Sequence, residues 1–260
     1  MKFYISRKEV TNMHYNKKIP LGQEKIQLII KSFEDGEYEY FECFKEHPTV
    51  THNGRGATIW NHIHTQLVKN FSMPGYKTGI ISRGIWDLIY IFDEDTKYLY
   101  TFMREVNFVN LHTGDMQDRL FHYSNILSKL NGQLLDTYEP EYQQMSFVDV
   151  ITIDDDTDTK LELLLQILVD SIDEKIERYA IVLVDCKHGM VKHIECVIPI
   201  AYMNPVYRED WSKYIRAEYV TDSYHVEETK PDDNEVILFE TNSDINLSFR
   251  EDNEEQKKVK

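Results

Sequence analysis

The sequence lacks the features that would place it in several large classes of protein. It has no run of eighteen apolar residues, and its first ten residues alternate apolar and polar side chains, which predicts neither a membrane span nor a secretory signal. Its three cysteines include no CxxC pair, and this sparse, odd set fits a reducing compartment, so we expect a cytoplasmic protein. The net charge of −16 repels the phosphates of nucleic acid, and the sequence has no Lys/Arg-rich run that would form a local basic patch. We therefore expect no direct binding of nucleic acid.

The chain has enough apolar residues to fold, because 42% of its 260 residues are hydrophobic. We expect residues 1–221 to form a single α+β domain, with the acidic stretch 154–158 as an alternative boundary between two halves. Residues 222–260 contain twelve acidic and five basic residues, a net charge of −7. We expect this C-terminal segment to be partly disordered, because so polar a stretch cannot offset its ordering entropy.

Four helices are predicted from apolar residues that recur every three to four positions. Gly36 is the expected stop after the first helix, and Asn131-Gly132 the expected terminator of the third. Thr159 and Glu162 have the spacing of a capping box at the start of the fourth. The four predicted ranges are about 22–33, 57–71, 118–130 and 159–176.

Two β-hairpins are predicted where β-branched and aromatic residues flank a short polar break. The first joins strands 85–92 and 98–103, and the second joins strands 179–184 and 190–200. The glycine-bearing stretch 75–84 is expected to be a loop that leads into the first hairpin. The predicted fold is therefore α+β, an antiparallel or mixed sheet built from two hairpins with helices packed on one face.

Three carboxylates around the first hairpin suggest a metal-dependent nuclease or phosphodiesterase, and they are Asp87, Asp93 and Glu105. The second strand of this hairpin lacks the acid-x-lysine tripeptide of a restriction-endonuclease-like core. Asp93 also has a simpler explanation as a turn residue that binds its own backbone. We therefore keep the enzyme as the alternative hypothesis.

No other motif predicts a cofactor or a metal ion. The chain has neither the P-loop spacing GxxxxGK[ST] nor the motifs GxSxG and HExxH. His62 and His64 lie two residues apart, which on a helix directs them about 200° from each other, so they cannot share one ion.

Tyrosine is abundant, with 17 residues, and clusters near the predicted strands. If one face of the sheet is buried, alternate tyrosines lie on the exposed face, and exposed tyrosine is common in protein interfaces. The alternative is that these side chains form the half-buried rim of the core. The predicted contact residues are Tyr90, Tyr98, Tyr100, Asp154, Asp155 and Asp156.

Residues 83–105, together with the following 122–131, resemble an uncharacterised family of bacterial and phage proteins from Gram-positive hosts. In that family a strand pair that ends in a Met-Arg-Glu-type run precedes a helix with an His-Tyr…Leu…Asn pattern. The resemblance covers about residues 54–131. It implies a protein of a mobile element or a defence system that acts on other macromolecules.

We therefore expect a non-enzymatic acidic protein that binds another protein, as an inhibitor or regulator in a conflict between phage and bacterium. The partner could itself bind nucleic acid, since clustered Asp and Glu can occupy a phosphate groove. No membrane association is expected, and the sequence leaves the oligomeric state open.

Overall fold

The structure is a computed structural model, and it describes residues 19–216 except for 49, 52, 84–85, 114–119, 138–154, 171 and 188. Five α-helices and six strands make up this part of the chain. The helices are α1 (Gln23–Glu46), α2 (Arg55–Phe71), α3 (Glu105–Thr113), α4 (Tyr123–Ser128) and α5 (Asp155–Asp170). The strands are β1 (Tyr76–Arg83), β2 (Trp86–Asp93), β3 (Tyr98–Arg104), β4 (Arg178–Lys187), β5 (Met190–Ile200) and β6 (Asn204–Asp210).

The six strands form one mixed sheet in the order β1-β2-β3-β4-β5-β6. All neighbouring strands are antiparallel except β3 and β4, which run parallel at the centre. Both predicted hairpins are present as β2–β3 and β4–β5, so the α+β class and the mixed sheet are confirmed. Strands that precede and strands that follow residues 154–158 belong to this same sheet.

Helices cover both faces of the sheet, so the expectation that they pack on one face is not confirmed. One core lies between the sheet and the pair α1–α2, and a second lies between the sheet and α3, α4 and α5. The parallel pair β3–β4 explains the second layer, because parallel strands need a long crossover, which here includes three helices. Every side chain from Tyr179 to Val184 is buried, as expected for a central strand covered on both sides.

The outer strands β1 and β6 were not predicted. β1 occupies the stretch expected to be a loop, and at Gly79 the ring of Tyr90 lies so close that a Cβ atom would collide with it. β6 contains Pro205 and three consecutive charged residues, which are typical of an edge strand and weaken a strand signal.

Several helix ends differ from the prediction. α1 continues through Gly36 to Glu46, because this buried glycine is the point where α1 meets α2 instead of a stop. Asn131 does not terminate a helix by its backbone conformation; it lies in a 3-10 helix, Lys129–Thr137, with a fully buried side chain. α5 begins at Asp155, one turn before the predicted capping box.

No helix in the described ranges combines the length and the apolar character that a membrane crossing requires.

Candidate functional site

The structure does not bring the three predicted carboxylates together. Asp87 is the second residue of β2 and Asp93 is the last, six residues or about 20 Å away at the rise of an extended strand. Glu105 follows the last residue of β3, at the end of the sheet where Asp87 lies. Asp93 therefore cannot bind the same ion as the other two.

Asp93 instead holds the turn between β2 and β3. Its carboxylate accepts the backbone N–H groups of Asp95 at 3.0 Å and Thr96 at 3.1 Å, and the side chain is buried. This is the turn role considered for it above. Asp87 accepts a hydrogen bond from the Ser82 hydroxyl on β1 at 2.8 Å. Within the residues that the structure describes, no group of three His, Cys, Asp or Glu side chains is arranged to hold a metal ion.

The predicted tyrosines belong to the cores. Tyr90 is 6% exposed in the core under α3–α5, and Tyr100 is 1% exposed in the core under α1–α2. Tyr98 is half-buried beside Tyr100, with 5.8 Å between the ring centroids. Burial raises the pKa of Tyr100 well above its ordinary value. Tyr90 and Tyr100 cannot form an exposed contact face, because helices cover both sides of the sheet.

Of the three predicted contact aspartates, Asp154 lies outside the described residues. Asp155 and Asp156 begin α5, and their side chains also lie outside the described part. The acidic run therefore continues into the first turn of α5, where the positive end of the helix dipole stabilises negative charge.

The exposed side of α5 carries apolar side chains. Leu161 and Leu168 are buried against the sheet, whereas Leu163 is 58% exposed and Ile167 is 52% exposed. These two lie four residues apart and so share one side of the helix. Phe121 is also exposed, and the ammonium group of Lys160 on α5 lies 5.0 Å from its ring centroid. We call Phe121, Leu163 and Ile167 the α5 face.

Acidic and polar residues form a stripe along one side of Leu163 and Ile167, and the exposed Lys160 lies on the other side. Asp158, Glu162, Gln166 and Asp170 are all exposed on the same helix. Exposed apolar side chains bordered by charge are typical of surfaces that bind another macromolecule. Neighbouring apolar positions at i and i+4 are also the arrangement by which helices contact a groove or another helix.

A second group of polar side chains lies at one edge of the sheet. β3, β4 and β6 run in the same direction, so their carboxyl ends meet there. Ligands of α/β sheets commonly bind at the carboxyl ends of parallel strands. The strand-end cluster consists of Glu105, Asp185, His193 and Asp210.

His193 lies between the carboxylates of this cluster. Its Nδ1 is 3.0 Å from Glu105 Oε2, and its Nε2 is 3.9 Å from Asp210 Oδ1, which is too long for a direct hydrogen bond. Asp185 is its cross-strand partner on β4 and therefore lies on the same face. The backbone N–H of Ser212, more than the nearby imidazole, holds the pKa of Asp210 below its ordinary value.

On the opposite face of the same edge, two acidic residues of α1 have structural roles. Glu34 accepts the N–H of Val191 at 3.2 Å, and Glu37 accepts the N–H of Gly189 at 3.0 Å. They attach the β4–β5 turn to α1. Burial, assisted by Glu37, raises the pKa of the Cys186 thiol, so this cysteine is not a reactive thiolate.

Asp185, His193 and Asp210 were not among the candidate residues predicted from the sequence. His193 lies 88 positions and Asp210 105 positions after Glu105 in the chain. No motif spans that distance, and β6, which positions Asp210, was not predicted. The alternation along β5 and the bulge near His193 decide which face the imidazole occupies.

The chain belongs to a family of unknown function, DUF5986, whose family model matches residues 18–260. Comparison with the curated proteins finds no match, and comparison with the solved structures finds none either. Membership in an uncharacterised family agrees with the resemblance noted above for residues 54–131, and it extends over the whole fold described here.

Proposed function

We propose that this protein is an acidic protein that binds another protein through the α5 face. The observation that supports this proposal is the exposure of Leu163 and Ile167 on a helix whose other apolar residues are buried or partly buried. A helix with one buried apolar side needs no second apolar side for folding. Burying the exposed half of Leu163 and of Ile167 in a complex would be favourable by about 1 kcal/mol for each side chain.

The charges around the α5 face suggest the chemistry of the partner. Exposed acidic side chains border the apolar positions, so a basic, amphipathic surface would complement both features. Proteins that bind nucleic acid carry such basic surfaces. The partner we propose is therefore a protein with a basic surface, for which one that binds nucleic acid is a natural example.

For the biological role, we propose inhibition or regulation of this partner in a conflict between phage and bacterium, inside the cytoplasm. The proposal follows the sequence resemblance to proteins of bacteria and phages. Its direct test is whether the partner captured from phage-infected Gram-positive cells is encoded by the phage or by the host.

The contact surface can be tested with the full chain carrying an affinity tag. Wild type and the double variant Leu163→Glu/Ile167→Glu are used to capture proteins from a nuclease-treated lysate of infected cells. The matched control is Val106→Glu/Val109→Glu, which changes two exposed valines on α3 in the same way. Circular dichroism establishes that all three proteins are folded.

We expect one stoichiometric partner that the α3 control retains and the α5 variant loses. Losing the burial of two half-exposed side chains corresponds to about 2 kcal/mol, or roughly a 30-fold weaker complex. Binding should also weaken as salt is raised, because the acidic border is exposed. A partner that the α5 variant still binds as tightly as wild type would contradict the proposed surface. If the chain captures only itself, the α5 face binds a second copy of this chain and not another protein.

A further inference from the structure

The strand-end cluster places the imidazole of His193 between two carboxylates. His193 is held on one side by Glu105, and its other nitrogen is open toward Asp210. An ionised carboxylate can only accept a hydrogen bond, so in the neutral tautomer that pairs with Glu105 the Nδ1–H of His193 is the donor. In that tautomer Nε2 keeps its lone pair, and the His193 side chain is 37% exposed.

We propose that His193 is the general base of a hydrolytic site for uncharged or cationic acyl esters. This inference goes beyond the protein-binding function and does not depend on it. The 3.9 Å between Nε2 and Asp210 Oδ1 suits a water molecule that hydrogen-bonds to both atoms. Nε2 accepts one proton of this water and Asp210 orients the other, while Glu105 is the positioning residue that fixes the imidazole.

The charges of the cluster select the substrate. Asp185, on the same face as His193, adds a third carboxylate, and its nearest cation, Lys187, lies 3.5 Å away on the same strand. Glu195, one pair further along the face, is occupied by Arg208 at 2.7 Å. An anionic phosphodiester would be repelled by these carboxylates, whereas an uncharged ester would not.

In the reaction, Nε2 removes a proton from the water while the water oxygen forms a bond to the ester carbonyl carbon. The resulting tetrahedral species expels the alkoxy group as the carbon–oxygen bond to it breaks. The leaving oxygen takes the proton back from Nε2. One ester and one water become one carboxylic acid and one alcohol, and the enzyme returns to its starting state.

Hydrolysis of p-nitrophenyl acetate by the full chain tests this site. We expect a rate above that of free imidazole at equal concentration, and a loss of about 100-fold in kcat for His193→Gln. His62→Gln is the matched control, since His62 also lies near a carboxylate, Glu39 at 3.5 Å, but on α2 and far along the chain from the cluster. This control should hydrolyse the ester like wild type.

Glu105→Gln separates positioning from folding. We expect it to lower kcat and leave KM unchanged, with an unaltered thermal unfolding midpoint. Wild type no faster than imidazole, or His193→Gln as fast as wild type, would overturn the proposal. Faster cleavage of bis(p-nitrophenyl) phosphate than of the acetate would overturn the substrate class. None of these outcomes bears on the α5 face, so the two proposals can fail separately.

Discussion

The close approach of α1 and α2 at Gly36 provides the sharpest test of the fold. A Cβ atom at this position would lie 2.6 Å from the backbone nitrogen and the Cα atom of Ile63 on α2. Carbon atoms in contact are normally about 3.5 to 4.0 Å apart. Gly36→Ala therefore requires the two helices to separate by about 1 Å along a packed core.

The expected cost follows from two opposing terms. Overpacking of a filled core costs about 1 to 3 kcal/mol. Replacing glycine by alanine in the middle of a helix returns about 1 kcal/mol. The obstacle is backbone and not the end of a flexible side chain, so we expect an overpacking cost of about 3 kcal/mol. The net loss in the free energy of unfolding is then about 2 kcal/mol, which corresponds to a thermal midpoint lower by about 4 to 8 °C.

Urea denaturation followed by circular dichroism measures this loss directly. Gly132→Ala is the matched control, because a Cβ atom there meets no heavy atom within 4 Å. We expect this control to unfold at the same urea concentration as wild type or slightly higher. If Gly36→Ala is as stable as wild type, α1 and α2 do not meet at Gly36, and the helix pair must pack in another register.

Three further perturbations test individual contacts. Asn131→Ala should lower the free energy of unfolding by about 3 kcal/mol, because the buried amide donates to the carbonyls of Tyr179 and Pro199 and accepts the N–H of Tyr179. An unchanged urea midpoint would show that these hydrogen bonds are replaced. Burial lowers the pKa of His64 to about 4, so the unfolded chain binds the proton more readily and stability should fall by at most about 3 kcal/mol as the pH decreases from 6.5 towards 4. In His64→Leu this part of the pH dependence should disappear, and an identical slope would count against it. Asp93→Ala should cost about 2 kcal/mol, and Asp93→Asn less because it keeps an acceptor oxygen, as urea titration of both variants would measure.

Elements with a strong local pattern were predictable from the sequence. The four-residue spacing from Ile59 to Phe71 predicted α2 to within two residues at its start and none at its end. The aromatic and β-branched runs predicted β2 through β5 nearly as well, because such side chains favour extended backbone wherever they pack.

The candidate residues were less predictable, since their surroundings come from distant parts of the chain. Tyr90 and Tyr100 have the sequence pattern of an exposed strand face, and only the second helical layer shows that both are buried. Gly36 has the sequence context of a helix stop, yet its structural role is to let α1 approach the backbone of Ile63 on α2. The strand-end cluster requires three strands and the start of α3 to meet.

The sequence by itself determined the class of the fold, the two hairpins, and most helix positions, because these depend on side chains within a few residues of each other. The tertiary structure decided which apolar residues remain exposed on α5 and which carboxylates approach His193. The physical reason is that burial and charge proximity are properties of neighbours in space. Here the carboxylates near His193 come from the start of α3, from β4 and from β6, and the parallel pairing of β3 with β4 brings the start of α3 to the same end of the sheet.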